Sequence, residues 1–132
     1  MKFDTIIIGG GLAGLTCGLR LARAGKKTAV MSGGLSSLSF ASGSIDLLGF
    51  TPAGSPVTEP FDEMKKLIAG NPHHPYGKTG LSLVRDALDF LTEETASKGL
   101  ELFRDKDRNH FKVTMHGSIR PAFISQRSVY HA

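Results

Sequence analysis

Three glycines, Gly9, Gly11 and Gly14, stand between two apolar runs of different period, and together they fix the local fold. Phe3 to Ile8 is apolar and β-branched without alternation, as a parallel strand buried on both faces should be. From Leu12 to Ala24 apolar residues recur at helical spacing; Leu12, Leu15, Leu19 and Ala22 share a face and Arg20 and Arg23 point elsewhere. Gly25 is placed to end that helix at C′, and Thr28 to Met31 reads as a second strand. Strand, helix and strand over residues 3–32 make a βαβ unit whose crossover should be right-handed.

In that context a Gly-x-Gly-x-x-Gly spacing is a phosphate-binding turn, and each glycine has a separate reason. Gly9 permits the tight exit from the strand. Gly11, lacking a side chain, leaves the backbone open to a phosphate, and Gly14 lets the helix lie close on the strand. The helix N-terminus adds free N–H groups and the positive end of a dipole. Gly10, Leu12 and Ala13 complete the turn. Gly18, one turn further on, keeps the packing close. A turn that merely joins strand to helix would not need all three glycines at this spacing.

At the end of the second strand such units usually place Asp or Glu, which accepts hydrogen bonds from an adenosine ribose. Here the residue is Ser32, followed by Gly33 and Gly34. A serine makes a weaker, single contact. Sites that prefer a 2′-phosphate tolerate a small residue there but add a basic one nearby, and none follows. The phosphate grip is kept and the adenosine clamp is given up, which fits a shorter flavin nucleotide or an FAD held by other contacts.

The rest of the chain reads as a loop from Ser32 to Phe50 carrying buried-type residues (Leu35, Leu38, Phe40, Ile45, Leu47, Leu48), then a turn-rich connection and a short helix over Phe61–Ala69. Gly70–Gly80 is a break. A helix runs from Leu81 to about Lys98, with Gly99 as its stop. Leu100–Phe103 and Phe111–Met115 form a hairpin around Arg104–Asn109, and Ile119–Ser125 a further strand. The fold class is therefore α/β: a Rossmann-like βαβ unit with its following loop over 1–50, then the start of a second, α+β domain over 51–132.

Composition excludes several classes. With 40% apolar and 21% charged residues the chain is neither disordered nor a membrane span. No secretory h-region opens it, and the single Cys17 forbids an intrachain disulfide, so a reducing cytoplasm fits. The net charge of +4 gathers partly in Arg20, Arg23, Lys26 and Lys27, which read as a solvated helix end; without interleaved aromatics they do not suggest nucleic acid. His73 and His74 are adjacent, point apart in extended chain and have no acid or Cys at ligand spacing, so an ordered turn is expected and no metal. His110 and His116 read as surface residues, Cys17 as a buried small hydrophobe, and Arg104 and Arg120 as solvated charges. No catalytic acid or base is assigned.

The stretch from Phe3 to Gly49, with "SSLSFASGSIDLL" at its end, and "HPYG" at His74–Gly77, resembles the start of the B-type chains of anaerobic glycerol-3-phosphate dehydrogenase, and more broadly the fumarate reductase and succinate dehydrogenase flavoproteins. That resemblance implies oxidation of sn-glycerol 3-phosphate to dihydroxyacetone phosphate. A catalytic, FAD-carrying partner, a B-type chain assigned FMN and an iron–sulfur partner would pass electrons to quinone at the cytoplasmic face of the inner membrane. It implies that Gly9, Gly11 and Gly14 contact phosphate, and that Ser42, Gly43 and Ser44 lie near the flavin. It also implies that this chain is an N-terminal fragment of a longer polypeptide, its second domain capping the flavin site. The alternatives are a fumarate-reductase-like enzyme holding FAD with another substrate, and a non-catalytic assembly protein whose nucleotide site is vestigial.

Overall fold

β1 (Thr5–Ile8) and β2 (Thr28–Met31) run parallel, paired in register from Thr5 with Thr28 to Ile8 with Met31, with α1 (Leu12–Arg23) between them in the chain. They belong to the first of two units, Met1–Ser42; the second opens at Gly43, and the computed structural model describes residues 1–131. The α/β class and the βαβ order are as the sequence implies.

The face of α1 that meets the sheet is not the leucine stripe. Gly18 is the buried residue of the helix, and a Cβ there would lie 3.2 Å from Val30 Cγ2 and 3.5 Å from Ile7 Cδ1. Leu12, Leu15 and Leu19 are 38–48% exposed. The helix thus packs through its small residues, which bring backbone against side chain, and not through its large ones. Cys17 is exposed, contrary to expectation, because it lies off the glycine face. Ile6 and Ile8 point to the other side of the sheet and are exposed, since β1 alternates and no second layer covers that side within the unit. For the same reason Leu35, Leu38 and Phe40 are exposed; Ser37–Phe40 form a 3₁₀ turn that Ser36 caps by accepting from the Leu38 N–H.

The second unit has the larger core. Phe61 and Met64 of α2 (Pro60–Gly70), Leu88 of α4 (Leu81–Ala96), and Phe123 and Ile124 are buried together, with Ile45, Leu47 and Leu48 packed against them. Burying each such side chain contributes about 1.5–3 kcal/mol relative to leaving it in water. Pro60 at N1 and Asp62 and Glu63 in the first turn suit the start of α2. The break at Gly70–Gly80 contains a short helix, α3 (Pro75–Thr79). His74 caps it, its Nδ1 accepting from the Tyr76 N–H at 3.2 Å, and Pro75 supplies the first turn. "HPYG" is thereby a capping device, and Gly77 is required because a Cβ would sit 2.7 Å from the Pro72 carbonyl oxygen.

The expected hairpin does not form. β3 (Leu102–Arg104) pairs antiparallel with β6 (Ile124–Gln126), while β4 (His110–Val113) pairs with β5 (Ile119–Ala122) and with β7 (Tyr130–His131). Two local features turn the chain away after β3. Asp105 and Arg108 close a tight turn with Lys106 at φ +48. Asn109 is then held elsewhere: its N–H donates to Thr58 O at 2.9 Å, and its buried side-chain amide donates to Leu48 O at 3.0 Å and Val57 O at 2.8 Å. The single strand expected over Ile119–Ser125 is split at Phe123, each half serving a different sheet. Pro121 lies on the edge strand β5, where a missing N–H is tolerated.

Two side-chain expectations are corrected in this unit. His110 is 6% exposed, its Nε2 2.7 Å from Ser125 Oγ, with Phe103 and Tyr130 rings beside it. Arg104 is mostly buried: it bonds Asp89 and Asp107 and lies over the Phe123 ring, so it is a structural cation. His116 and Arg120 are exposed, as expected.

Candidate functional site

The turn after β1 has the geometry that its glycines demand. Gly9 continues the ladder by donating its N–H to Met31 O at 2.8 Å, and it adopts φ +115, a conformation that L side chains rarely take. A Cβ at Gly14 would stand 2.0 Å from Gly9 O and 3.1 Å from Gly9 C, so the helix lies against the carbonyl of the first glycine and only glycine permits it. Gly11 is different in kind. It is the N-cap of α1 in extended conformation (φ −79, ψ −179), and a Cβ there would meet nothing within 4 Å. No described residue requires Gly11 to lack a side chain; the space beside it is open to something from outside.

The helix end is also electrostatically open. No side chain caps α1 and no acidic residue occupies its first turn. Within its own cap and first turn, therefore, no carboxylate or hydroxyl competes for its first N–H groups, and nothing there neutralises the positive end of the dipole. Leu12 and Ala13, the first residues of the helix, are exposed. Such an end suits a phosphate or diphosphate.

Ser32 is where the sequence implies. It follows β2 and adjoins the turn: a Cβ on Gly10 would come within 3.0 Å of both its Cβ and its Oγ. Its hydroxyl donates to Gly34 O at 2.8 Å, closing a local turn through Gly33, so its proton is spent on the backbone. The oxygen keeps acceptor capacity, but a short hydroxyl held in its own turn is a poor substitute for a carboxylate that reaches both ribose hydroxyls.

The structure therefore brings Gly9, Gly10, Gly11, Leu12, Ala13, Gly14, Ser32 and Gly33 together in the first unit. Ser42 is the last residue of that unit, and Gly43 and Ser44 open the second. Gly43 has φ +71, and Ile45 just beyond it is tied to β6: its N–H donates to Ile124 O at 2.9 Å and its carbonyl accepts from Phe123 and Ile124 N–H, both at 3.0 Å.

Sequence reasoning missed two features of the second unit. One is Gln126, whose side chain lies across Gly43; glutamine at a strand end carries no local signal of such a contact. The other is a cavity of about 650 Å³ lined by Leu48, Phe50, Pro52, Leu67, Asn71 and His74 among others. Among the described residues no group of three or more His, Cys, Asp or Glu could hold a metal ion, and no helix is long and apolar enough to cross a membrane.

Comparison with known proteins gives the family. The chain is 41% identical over 125 residues to the B-type chain of anaerobic glycerol-3-phosphate dehydrogenase from Pectobacterium atrosepticum, covering 95% of this chain and 30% of the relative. It is 43% identical over 131 residues to the protein of that name from Aliivibrio fischeri, covering 98% of this chain and 29% of the relative. To that of Yersinia pestis it is 44% identical over 126 residues, covering 95% and 30%. The chain thus spans about 30% of the length of the curated relatives it matches. No solved structure matches it. The profile of the FAD binding domain matches residues 4–132, and with the glycine turn this places the chain in the FAD-binding domain family.

Proposed function

We propose that this chain is the N-terminal, flavin-binding part of an oxidoreductase component that takes part in oxidising sn-glycerol 3-phosphate to dihydroxyacetone phosphate, with electrons passed on to quinone. One observation carries the flavin reading: the uncapped N-terminus of α1, with no acid in its first turn, behind a Gly11 whose Cβ position has no atom of another described residue within 4 Å. The backbone N–H groups of the Gly9–Gly14 turn would hold the diphosphate of FAD. By resemblance Ser42, Gly43 and Ser44 would serve the ring side of the cofactor. The flavin, when bound, supplies the hydride-accepting chemistry. No acid or base of this chain is assigned to the substrate. The substrate, the quinone acceptor, the FAD-carrying catalytic partner, the iron–sulfur partner and the attachment to the cytoplasmic face of the inner membrane rest on the names of the relatives and on the resemblance.

FAD is the proposed cofactor because the matching family is an FAD-binding one. FMN is the second reading, favoured by Ser32, whose hydroxyl is engaged with Gly34 O in place of a ribose-binding carboxylate. Titration of the purified chain with FAD and FMN in parallel, followed by flavin fluorescence, separates them. Tight FAD binding supports the first reading and tight FMN with weak FAD the second. Binding of neither, here and in a full-length relative, would mean a vestigial site in an assembly protein.

A further inference from the structure

We propose that the cavity between the end of α2 and the turn over residues 48–52 binds a small uncharged ring compound that bears a carbonyl acceptor. The cavity lies within the second unit and is independent of the flavin reading. Four observations meet there: walls held in place, a glycine that no described residue requires, a donor of fixed tautomer, and no unpaired charge.

Both walls are held from behind, and the volume of about 650 Å³ is that of a small-molecule pocket. On one side Leu48, Phe50 and Pro52 line it. Their turn is closed by hydrogen bonds from Thr51 N–H to Ser55 O and from Val57 N–H to Gly49 O, both at 2.9 Å. The Asn109 amide holds the base of that turn through Leu48 O and Val57 O. On the other side Leu67, Gly70 and Asn71 come from the end of α2, which Phe61 and Met64 anchor in the core. Gly70 is the last residue of that helix; its φ is not left-handed, and a Cβ there would meet nothing within 4 Å. Glycine is a poor helix former, so this position gives up helix propensity and leaves the wall open.

The polar groups set the class of ligand. His74 also lines the cavity. Its Nδ1 accepts from the Tyr76 N–H at 3.2 Å and its ring centre lies 4.9 Å from that of Tyr76, so the imidazole is held and, when neutral, carries its proton on Nε2. It therefore offers a donor, which suits a carbonyl oxygen. The Asn71 carboxamide, on the same cavity, makes no hydrogen bond to a described residue. Neither sign of charge is served. Lys66, on the cavity wall, is paired with Glu63, and α2 has no basic residue in its last turn, so an anion would meet the negative end of the helix dipole. A cation would find Glu63 taken by Lys66 and would face an N–H donor at His74. With Leu48, Phe50, Pro52 and Leu67 for walls, the fit is an apolar ring with a carbonyl acceptor.

Three probes of similar size test this on the unaltered chain: 1-indanone, indane, which lacks the carbonyl, and indane-1-carboxylate, which carries a charge. Binding is followed through the NMR amide signals of residues 48–52 and 67–74. 1-Indanone should give saturable shifts at both walls and bind roughly 3- to 10-fold more tightly than indane, the effect of one neutral hydrogen bond, and the carboxylate should bind most weakly. His74→Asn keeps a side-chain oxygen to cap α3 and removes the Nε2 donor, so it should bring 1-indanone to parity with indane. Gly70→Leu, at an exposed position with an empty Cβ site, should weaken all three. The proposal falls if no probe gives saturable shifts, if 1-indanone and indane bind alike, or if the carboxylate binds most tightly. Full retention of the preference for 1-indanone in folded His74→Asn would overturn it too. The comparison of probes needs no variant, so it decides the matter even if His74→Asn loses α3.

Discussion

Gly11→Ala tests the cofactor site without disturbing the fold. At φ −79 and ψ −179 the backbone of Gly11 is one that alanine adopts freely, and the added Cβ has no atom within 4 Å. Its stability cost is that of alanine at an N-cap, below about 1 kcal/mol. For a bound phosphate the result is different. The methyl enters the space through which a phosphate oxygen reaches the helix N–H groups, and losing one hydrogen bond to a charged group costs about 1.5–3 kcal/mol. That corresponds to a roughly 10- to 150-fold rise in Kd for FAD. Gly14→Ala is the control. Its Cβ would be 2.0 Å from Gly9 O, so α1 must move off the strand. The gain of up to about 1 kcal/mol from alanine's helix propensity is outweighed by overpacking of about 1–3 kcal/mol or more. Isothermal titration with FAD, together with amide hydrogen exchange over β1 and β2, reads both effects. Gly11→Ala should lose affinity with unchanged protection, and Gly14→Ala should lose both. Undiminished FAD binding by Gly11→Ala would refute the argument that the open space beside this glycine is a phosphate site.

Three further outcomes follow from the same geometry. Ser32→Glu should change FAD affinity by less than about threefold, the scale of one weak hydrogen bond; a gain of tenfold or more in the same titration would show that the adenosine ribose lies beside Ser32 after all. Asn109→Ala should destabilise the second unit by about 1–3 kcal/mol, because it leaves the Leu48 and Val57 carbonyls without their buried donor; urea unfolding measures it. His110 should make stability pH-dependent. Burial holds its pKa below the ordinary 6.5, with Lys112 acting in the same direction and Asp105 and Asp46 opposing. The neutral form is favoured in the native state, so this contribution is complete above pH 6.5. It is lost as pH falls from there towards the depressed native value and changes no further below it. Unfolding free energies between pH 8 and 5 should fall less steeply in His110→Gln than in the unaltered chain; equal slopes would show that His110 does not titrate differently in the two states.

The parts of this structure that could be read from sequence are those whose physical cause lies within a few residues. Gly9, Gly11 and Gly14 are tied to a strand exit, a free approach and a close contact along one short stretch, and all three requirements reappear as φ +115, an empty Cβ position and a 2.0 Å approach. Gly25 and Gly99 end their helices at φ +74 and +79 for equally local reasons. What was not legible depends on partners far along the chain. In β4 the alternation of His110, Phe111, Lys112 and Val113 is plain, and hydrophobicity would turn Phe111 and Val113 inward. The opposite holds: His110 and Lys112 are buried, and Phe111 and Val113 are 37% and 40% exposed. The inversion is stable because each polar side chain that goes inside finds a partner there, although His110 Nδ1 has none among the described residues. Ser125 Oγ meets His110 at 2.7 Å, and the Asp46 carboxylate takes Lys112 Nζ at 2.8 and 3.0 Å. These partners lie 15 and 66 residues away, and burying a polar group unpaired costs more than exposing a half-covered apolar one. The period of a strand is thus a local property, but the choice of its inner face belongs to the partners. The same reasoning explains α1, where the leucines recur at helical spacing yet the glycines decide which face meets the sheet. Close approach to Ile7 and Val30 is possible only on the side that has no side chains of its own.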